Sequence, residues 1–151
     1  MAEGILEDLH QDHEEVTGLL DQLLKTDDGQ ERSALFKEMM SNLLAHAHAE
    51  QNVLYRKLEK SQNEKARKFA LEGDNEHQIV EQQLQQMARA RNKAGEQWTA
   101  QLTVLKELVS HHIKEEESTG FSVTRSEFER DQLEKLAEQF RRQKEKLLAE
   151  S

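Results

Sequence analysis

Two short stretches carry the chemistry of this chain. "HAHAE" at residues 46–50 and "HIKEE" at 112–116 each set a histidine four residues before a glutamate. On a helix that spacing places an imidazole nitrogen and a carboxylate oxygen on one face, one turn apart. Two further histidines stand alone, His13 in "DH" and His77 in "EH". Imidazole and carboxylate together suit iron, manganese or zinc, and with no cysteine anywhere in the chain thiolate sites and disulfides are excluded.

The value of these residues depends on which way they face. Successive helical residues rotate by about 100°, so each polar residue can be tested against the apolar stripe of its own helix. His13 lies within a stripe of Leu9, Val16, Leu19 and Leu20. His46 and Glu50 lie within about 60° of the stripe centred near Leu43, whereas His48 points roughly 140° away. His77 shares a face with Phe69, Ala70, Val80 and Leu84, and Glu76 is turned about 100° from it, toward solvent. His112 sits among Leu105, Leu108 and Val109, with Glu116 one turn later. His111 and Glu117 fall outside, and Glu115 is marginal. Four helices thus each send one histidine inward, and two of them add a glutamate. Two inward carboxylates with no inward Lys or Arg would be costly to bury, and a bound cation removes the difficulty. Four histidines and two carboxylates exceed the needs of one zinc and suit two metals bridged by the glutamates.

The elements that position this set can be drawn from periodicity. Helices are expected over about 5–24, 31–58, 64–93 and 97–117, joined by short polar connectors that make neighbours antiparallel. The segment "STGFSVTR" interrupts the fourth pattern. Ser126 and Glu129 have capping-box spacing, so a fifth helix is expected from about residue 126 to 149. The expected architecture is all-α: an up-down-up-down antiparallel four-helix bundle over about 4–118 with an additional C-terminal helix, forming one domain over 1–151. The fifth helix packs on the bundle or offers a surface for self-association or a protein partner. Trp98 reads as core. Tyr55, about 120° off the helix 2 stripe, reads as a packing residue at the helix end.

Composition narrows the function classes. The chain has 151 residues, no proline, and a net charge of −9 from 21 basic and 30 acidic residues. No clustered basic face speaks for nucleic acid. No apolar run approaches the roughly 18 residues of a membrane span, and "MAEGILEDLH" lacks the pattern of a signal peptide, so a cytoplasmic protein is expected.

"DH" at 12–13, "HAHAE" followed by "VLY", "EH" at 76–77 and "HHIKEEE" together resemble the haemerythrin-like, or HHE cation-binding, family, in its bacterial form. The tail "FSVTRSEFERDQLEKLAEQFRRQKEKLL" is similar to the C-terminal helix of its bacterial members. The resemblance implies a four-helix bundle holding a non-haem di-iron centre, two Fe ions with oxo or hydroxo and carboxylate bridges. It implies His13, His46, Glu50, His77, His112 and Glu116 as ligands, the same six chosen by rotation. The expected function is binding, sensing or reacting with O₂, nitric oxide or peroxide. The alternatives are a di-iron enzyme of oxidative or nitrosative stress and an iron-responsive interaction module. One departure stands out: oxygen-carrying haemerythrins have a further histidine where this chain has Gly73. That glycine leads to the expectation of an accessible second metal position with room for water beside it, and Asp74 is the nearby candidate to substitute.

Overall fold

A computed structural model describes residues 3–151; Met1 and Ala2, the first two residues of the "MAEGILEDLH" stretch, lie outside them. Five helical rods account for nearly all of it, and no strand occurs among the described residues. α1 is Ile5–Lys25. α2 begins at Gly29–Glu50, passes through a π turn at Gln51–Tyr55 and closes with Arg56–Leu58. α3 is Glu64–Ala88. α4 begins at Glu96–Glu115, passes through a second π turn at Glu116–Gly120 and ends with Phe121–Glu127. α5 is Arg130–Glu150.

Local chemistry sets these boundaries. Asp28 caps α2 by accepting hydrogen bonds from the backbone amides of Gln30 and Glu31, and Asn63 does the same for α3 through Lys65. α3 ends earlier than its polar periodicity suggests because the Lys93 ammonium binds the carbonyls of Met87, Ala88 and Ala90. The expected break after residue 117 does not occur. The chain stays helical by widening one turn, so "STGFSVTR" extends α4. Ser126 therefore lies inside α4 and caps nothing; the capping box that opens α5 is formed by Glu129 and Gln132.

Cross-helix pairs give the directions. His10 and Asp21 of α1 meet Glu117 and Lys106 of α4, so these two rods run oppositely. His48 and Arg56 of α2 meet Glu81 and Asp74 of α3 in the same sense, and Glu76 and Gln83 of α3 meet His112 and Gln101 of α4. α5 runs along α1 in parallel, with Arg141 on Asp8 and Lys144 on Asp12. It docks closely enough that a Cβ on Gly4, whose φ is +57°, would collide with the Leu133 backbone.

The apolar interior is in two parts. One is built around Leu9, Val53, Leu58, Phe69, Phe121 and Phe140; the other around Leu20, Phe36, Met39, Leu84, Trp98 and Leu105. Each fully buried side chain of this kind stabilises the fold by about 1.5–3 kcal/mol. Between the two parts, in all four of α1–α4, lies a layer of polar residues. No helix among the described residues is long and apolar enough to cross a membrane.

Candidate metal centre

The polar layer contains the six residues singled out by rotation. His13, His46, Glu50, His77, His112 and Glu116 are all buried, the two glutamates almost completely. They fall into two triads whose ligand atoms lie within 4.8 Å of one another: His13, His46 and Glu116, and Glu50, His77 and His112. Both glutamates face both triads. Glu116 sets Oε1 at 2.9 Å from His13 Nε2 and Oε2 at 3.8 Å from His112 Nε2. Glu50 Oε1 lies 3.7 Å from His46 Nε2 and 3.3 Å from His77 Nε2.

Each histidine is oriented from behind. The Nδ1 atoms of His13, His46 and His112 donate to Glu117, Asp12 and Glu76 at 2.7, 2.8 and 2.7 Å, and His77 Nδ1 donates to Gln51 Oε1 at 3.1 Å. With every Nδ1 carrying the proton, every Nε2 presents a lone pair to the interior. The Nε2 atoms of His77 and His112 then face each other at 3.1 Å with no proton between them. His13 Nε2, Glu116 Oε1 and both carboxylate oxygens of Glu50 are buried without a hydrogen-bond partner. A convergence of orphaned acceptors is what a cation requires and what a folded core otherwise avoids. The residues present therefore fit a bound cation.

The electrostatics carry the same strain. Burial and the neighbouring Glu116 charge push the Glu50 carboxyl well above its ordinary range. Burial acts on Glu116 too, but the adjoining Glu50 carboxyl, once protonated, and the His13 and His112 imidazoles hold it well below. Burial also lowers His46, against the raising effect of Asp12, and lowers His77 well below its usual value, with His112 adding to the effect. Burial would lower His13 as well, yet Glu116 and Glu117 together raise it. The one buried arginine, Arg32, does not neutralise this charge, because its donors go to the Thr26 and Lys93 carbonyls and to Thr99 Oγ1.

Several expectations need correction. Glu76 is not left to solvent: it accepts the His112 hydrogen bond, which holds its carboxyl below the usual range. Asp74 does not replace a missing ligand, because both its oxygens bind the Arg56 guanidinium, at 2.8 and 3.1 Å. Nor does Gly73 leave open, wet space. A Cβ there would lie 2.7–2.8 Å from the Tyr55 ring and hydroxyl, so the glycine exists to admit the tyrosine. Tyr55 is fully buried, stacks on His77 with ring centroids 5.2 Å apart, and donates its hydroxyl proton to Glu116 Oε2 at 2.7 Å. The rotation estimate placed it about 120° off the stripe because it assumed an unbroken α-helix; one extra residue in the π turn rotates the remainder of the helix by about 100° and swings Tyr55 inward. Burial and the two nearby glutamates raise its phenol well above the ordinary value. The one signal in the sequence was Gly73 itself, an isolated glycine on the apolar face of a helix.

His10, His48 and His111 stay at the surface. His10 pairs with Glu14 and Glu117, and His48 with Glu81. Beside the two triads is a small cavity of about 30 Å³. Its walls are mostly aliphatic side chains, with the four histidines and Glu81 among them.

These features define a helical cation-binding protein whose donors are histidine and carboxylate alone. The chain belongs to the Hemerythrin HHE cation binding domain family, whose pattern matches residues 4–124. It is also similar to a protein named DNA nickase from a Nostoc species, at 29% identity over 143 residues. That alignment takes in 92% of this chain and 38% of the relative, so the chain spans well under half of that protein's length. No solved structure gives a significant match.

Proposed function

We propose that the chain is a di-iron protein of the up-down-up-down haemerythrin type, one iron held by His13, His46 and Glu116 and the other by Glu50, His77 and His112. Glu50 and Glu116, each close to histidines of both triads, would be within reach of both ions. The observation that supports this best is the convergence in one buried layer of His13 Nε2, Glu116 Oε1 and both oxygens of Glu50, to which no donor from outside the cluster is bonded. An iron pair supplies open coordination positions and electrons for a small ligand.

The chain's own residues set which ligand that is. The cavity beside the triads is lined mostly by aliphatic carbon, and its small volume limits the occupant to a molecule of a few heavy atoms. Such a space favours an uncharged, weakly solvated molecule, O₂ or nitric oxide, over an anion. Peroxide handling is the second outcome of the same assay. Tyr55 fills the Gly73 side and excludes water there, while its hydroxyl proton stays on Glu116 Oε2. Nucleic acid plays no part in this reading, because the site is buried and the chain carries a net charge of −9.

The test is to load the chain anaerobically with ferrous iron and follow its absorption on adding nitric oxide, O₂ or peroxide. Fast, stoichiometric spectral change with a diatomic gas is expected. A loaded protein that is inert to both gases would overturn the assignment of the ligand class, and sustained consumption of peroxide would move the reading to an enzyme.

A further inference from the structure

The family match ends at residue 124, yet α5 lies beyond it and reaches the metal layer. The link is a chain of three groups. Lys144 Nζ of α5 donates to Asp12 Oδ1 at 2.6 Å, and Asp12 Oδ2 accepts from His46 Nδ1 at 2.8 Å. Asp12 is buried, and each of its oxygens is engaged by one of these two partners. One turn before Lys144, the buried Phe140 ring meets the His46 ring edge-on, with centroids 5.6 Å apart. α5 therefore holds His46 twice, by ring packing and through Asp12.

The other three histidines are oriented differently. Glu117, Gln51 and Glu76 all come from α2–α4, within the matched region. Among the described residues, only the His46 orienting group is itself seen to be held from outside it. The rotamer of a ligating histidine is fixed by the acceptor behind it, and loss of such an acceptor commonly costs 10–100-fold in metal affinity. Linkage makes the effect mutual: whatever positions His46 for metal is itself positioned more firmly once metal binds.

We infer that α5 is a working part of the metal centre, in which Lys144 positions Asp12, Asp12 orients His46, and metal occupancy and the docking of α5 stabilise each other. This rests on the proposed metal pair. It makes Lys144 a positioning residue and gives the chain a helix whose attachment reports on its metal.

Two measurements on the full chain test it, both using ferrous iron under anaerobic conditions. In the unaltered protein, amide hydrogen exchange over residues 130–150 should slow several-fold on loading. In Lys144→Ala, one of the two binding steps should weaken by about tenfold, and the metal-dependent slowing over 130–150 should largely vanish. Lys144→Arg should restore both. Arg141→Ala is the control: it removes the neighbouring tie between α5 and Asp8, 2.7 Å long, without touching Asp12 or His46. It should leave iron affinity unchanged to within about twofold, as expected for an exposed ion pair. Equal loss of affinity in Lys144→Ala and Arg141→Ala would mean that docking alone matters and would overturn the positioning role. Normal iron binding with exchange over 130–150 indifferent to metal would overturn the coupling while leaving the metal reading intact, and this comparison needs no variant. Failure of the unaltered chain to bind iron would overturn the metal reading, and this inference with it.

Discussion

Replacing Glu50 by glutamine should stabilise the empty protein and reduce the stabilisation that iron gives it. Both Glu50 oxygens are buried without a partner, and that burial, with the Glu116 carboxylate beside it, pushes the Glu50 carboxyl well above its ordinary range. A buried polar atom left unpaired costs about 1–3 kcal/mol. Glutamine keeps the shape, removes the charge conflict and offers an amide donor to Glu116. The metal-free Glu50→Gln variant should therefore be more stable than the parent by about 1–3 kcal/mol near neutral pH. At about 2–4 °C per kcal/mol for a chain of this size, that is a rise in melting temperature of roughly 2–12 °C. The pH dependence fixes the sign. The folded-state value of Glu50 is raised, so its contribution is intact below the ordinary value of 4.5 and is lost as pH rises through the folded value. The advantage of the variant should be small near about pH 4 and grow toward neutrality. With ferrous iron that advantage shrinks, because the parent gains about 2.7 kcal/mol at a hundredfold excess over the dissociation constant and the variant, short of one carboxylate donor, gains less. Thermal melts at two pH values, with and without iron, decide it. A metal-free variant less stable than the parent at neutral pH, or one stabilised by iron as strongly as the parent, would refute the reasoning.

Two further perturbations probe the geometry. Gly73→Ala drives a methyl group into the Tyr55 ring and should destabilise the chain by about 1–3 kcal/mol, with partial recovery when Tyr55 is changed to leucine in the same chain; chemical denaturation of the single and double variants measures it. His46→Ala and His112→Ala should each lower bound iron, whereas His48→Ala and His111→Ala, one or two positions away but facing outward, should leave it unchanged; metal analysis after gel filtration separates them.

The inward placement of His13, His46, Glu50, His77, His112 and Glu116 was legible because it depends only on rotation within α-helical turns, and those turns are regular up to each glutamate. Legibility stops at those two glutamates, since a π turn begins directly after Glu50 and at Glu116. Periodicity counted through an assumed 3.6-residue turn places Tyr55 on the wrong face and ends α4 too soon. The orienting groups were hidden for a second reason. Asp12, Glu76 and Glu117 adjoin the inward-facing His13, His77 and Glu116 in sequence and so lie about 100° around the helix from them, off the face that a single-helix test picks out. Only the neighbouring helix, which brings His46, His112 or His13 to meet them, reveals their use. For α5, the apolar spacing of Leu133, Leu136 and Phe140 announced a helix with one buried face, but the destination of Lys144 is a tertiary fact.

The proposed centre places two iron ions per chain in one buried layer. Its most direct test is the iron-to-protein ratio after anaerobic reconstitution with ferrous iron and removal of loosely held metal. A ratio of two is expected, falling in His13→Ala and in His77→Ala, one residue from each triad. A ratio of one or less in the unaltered chain, or a ratio of two that survives both substitutions, would contradict it.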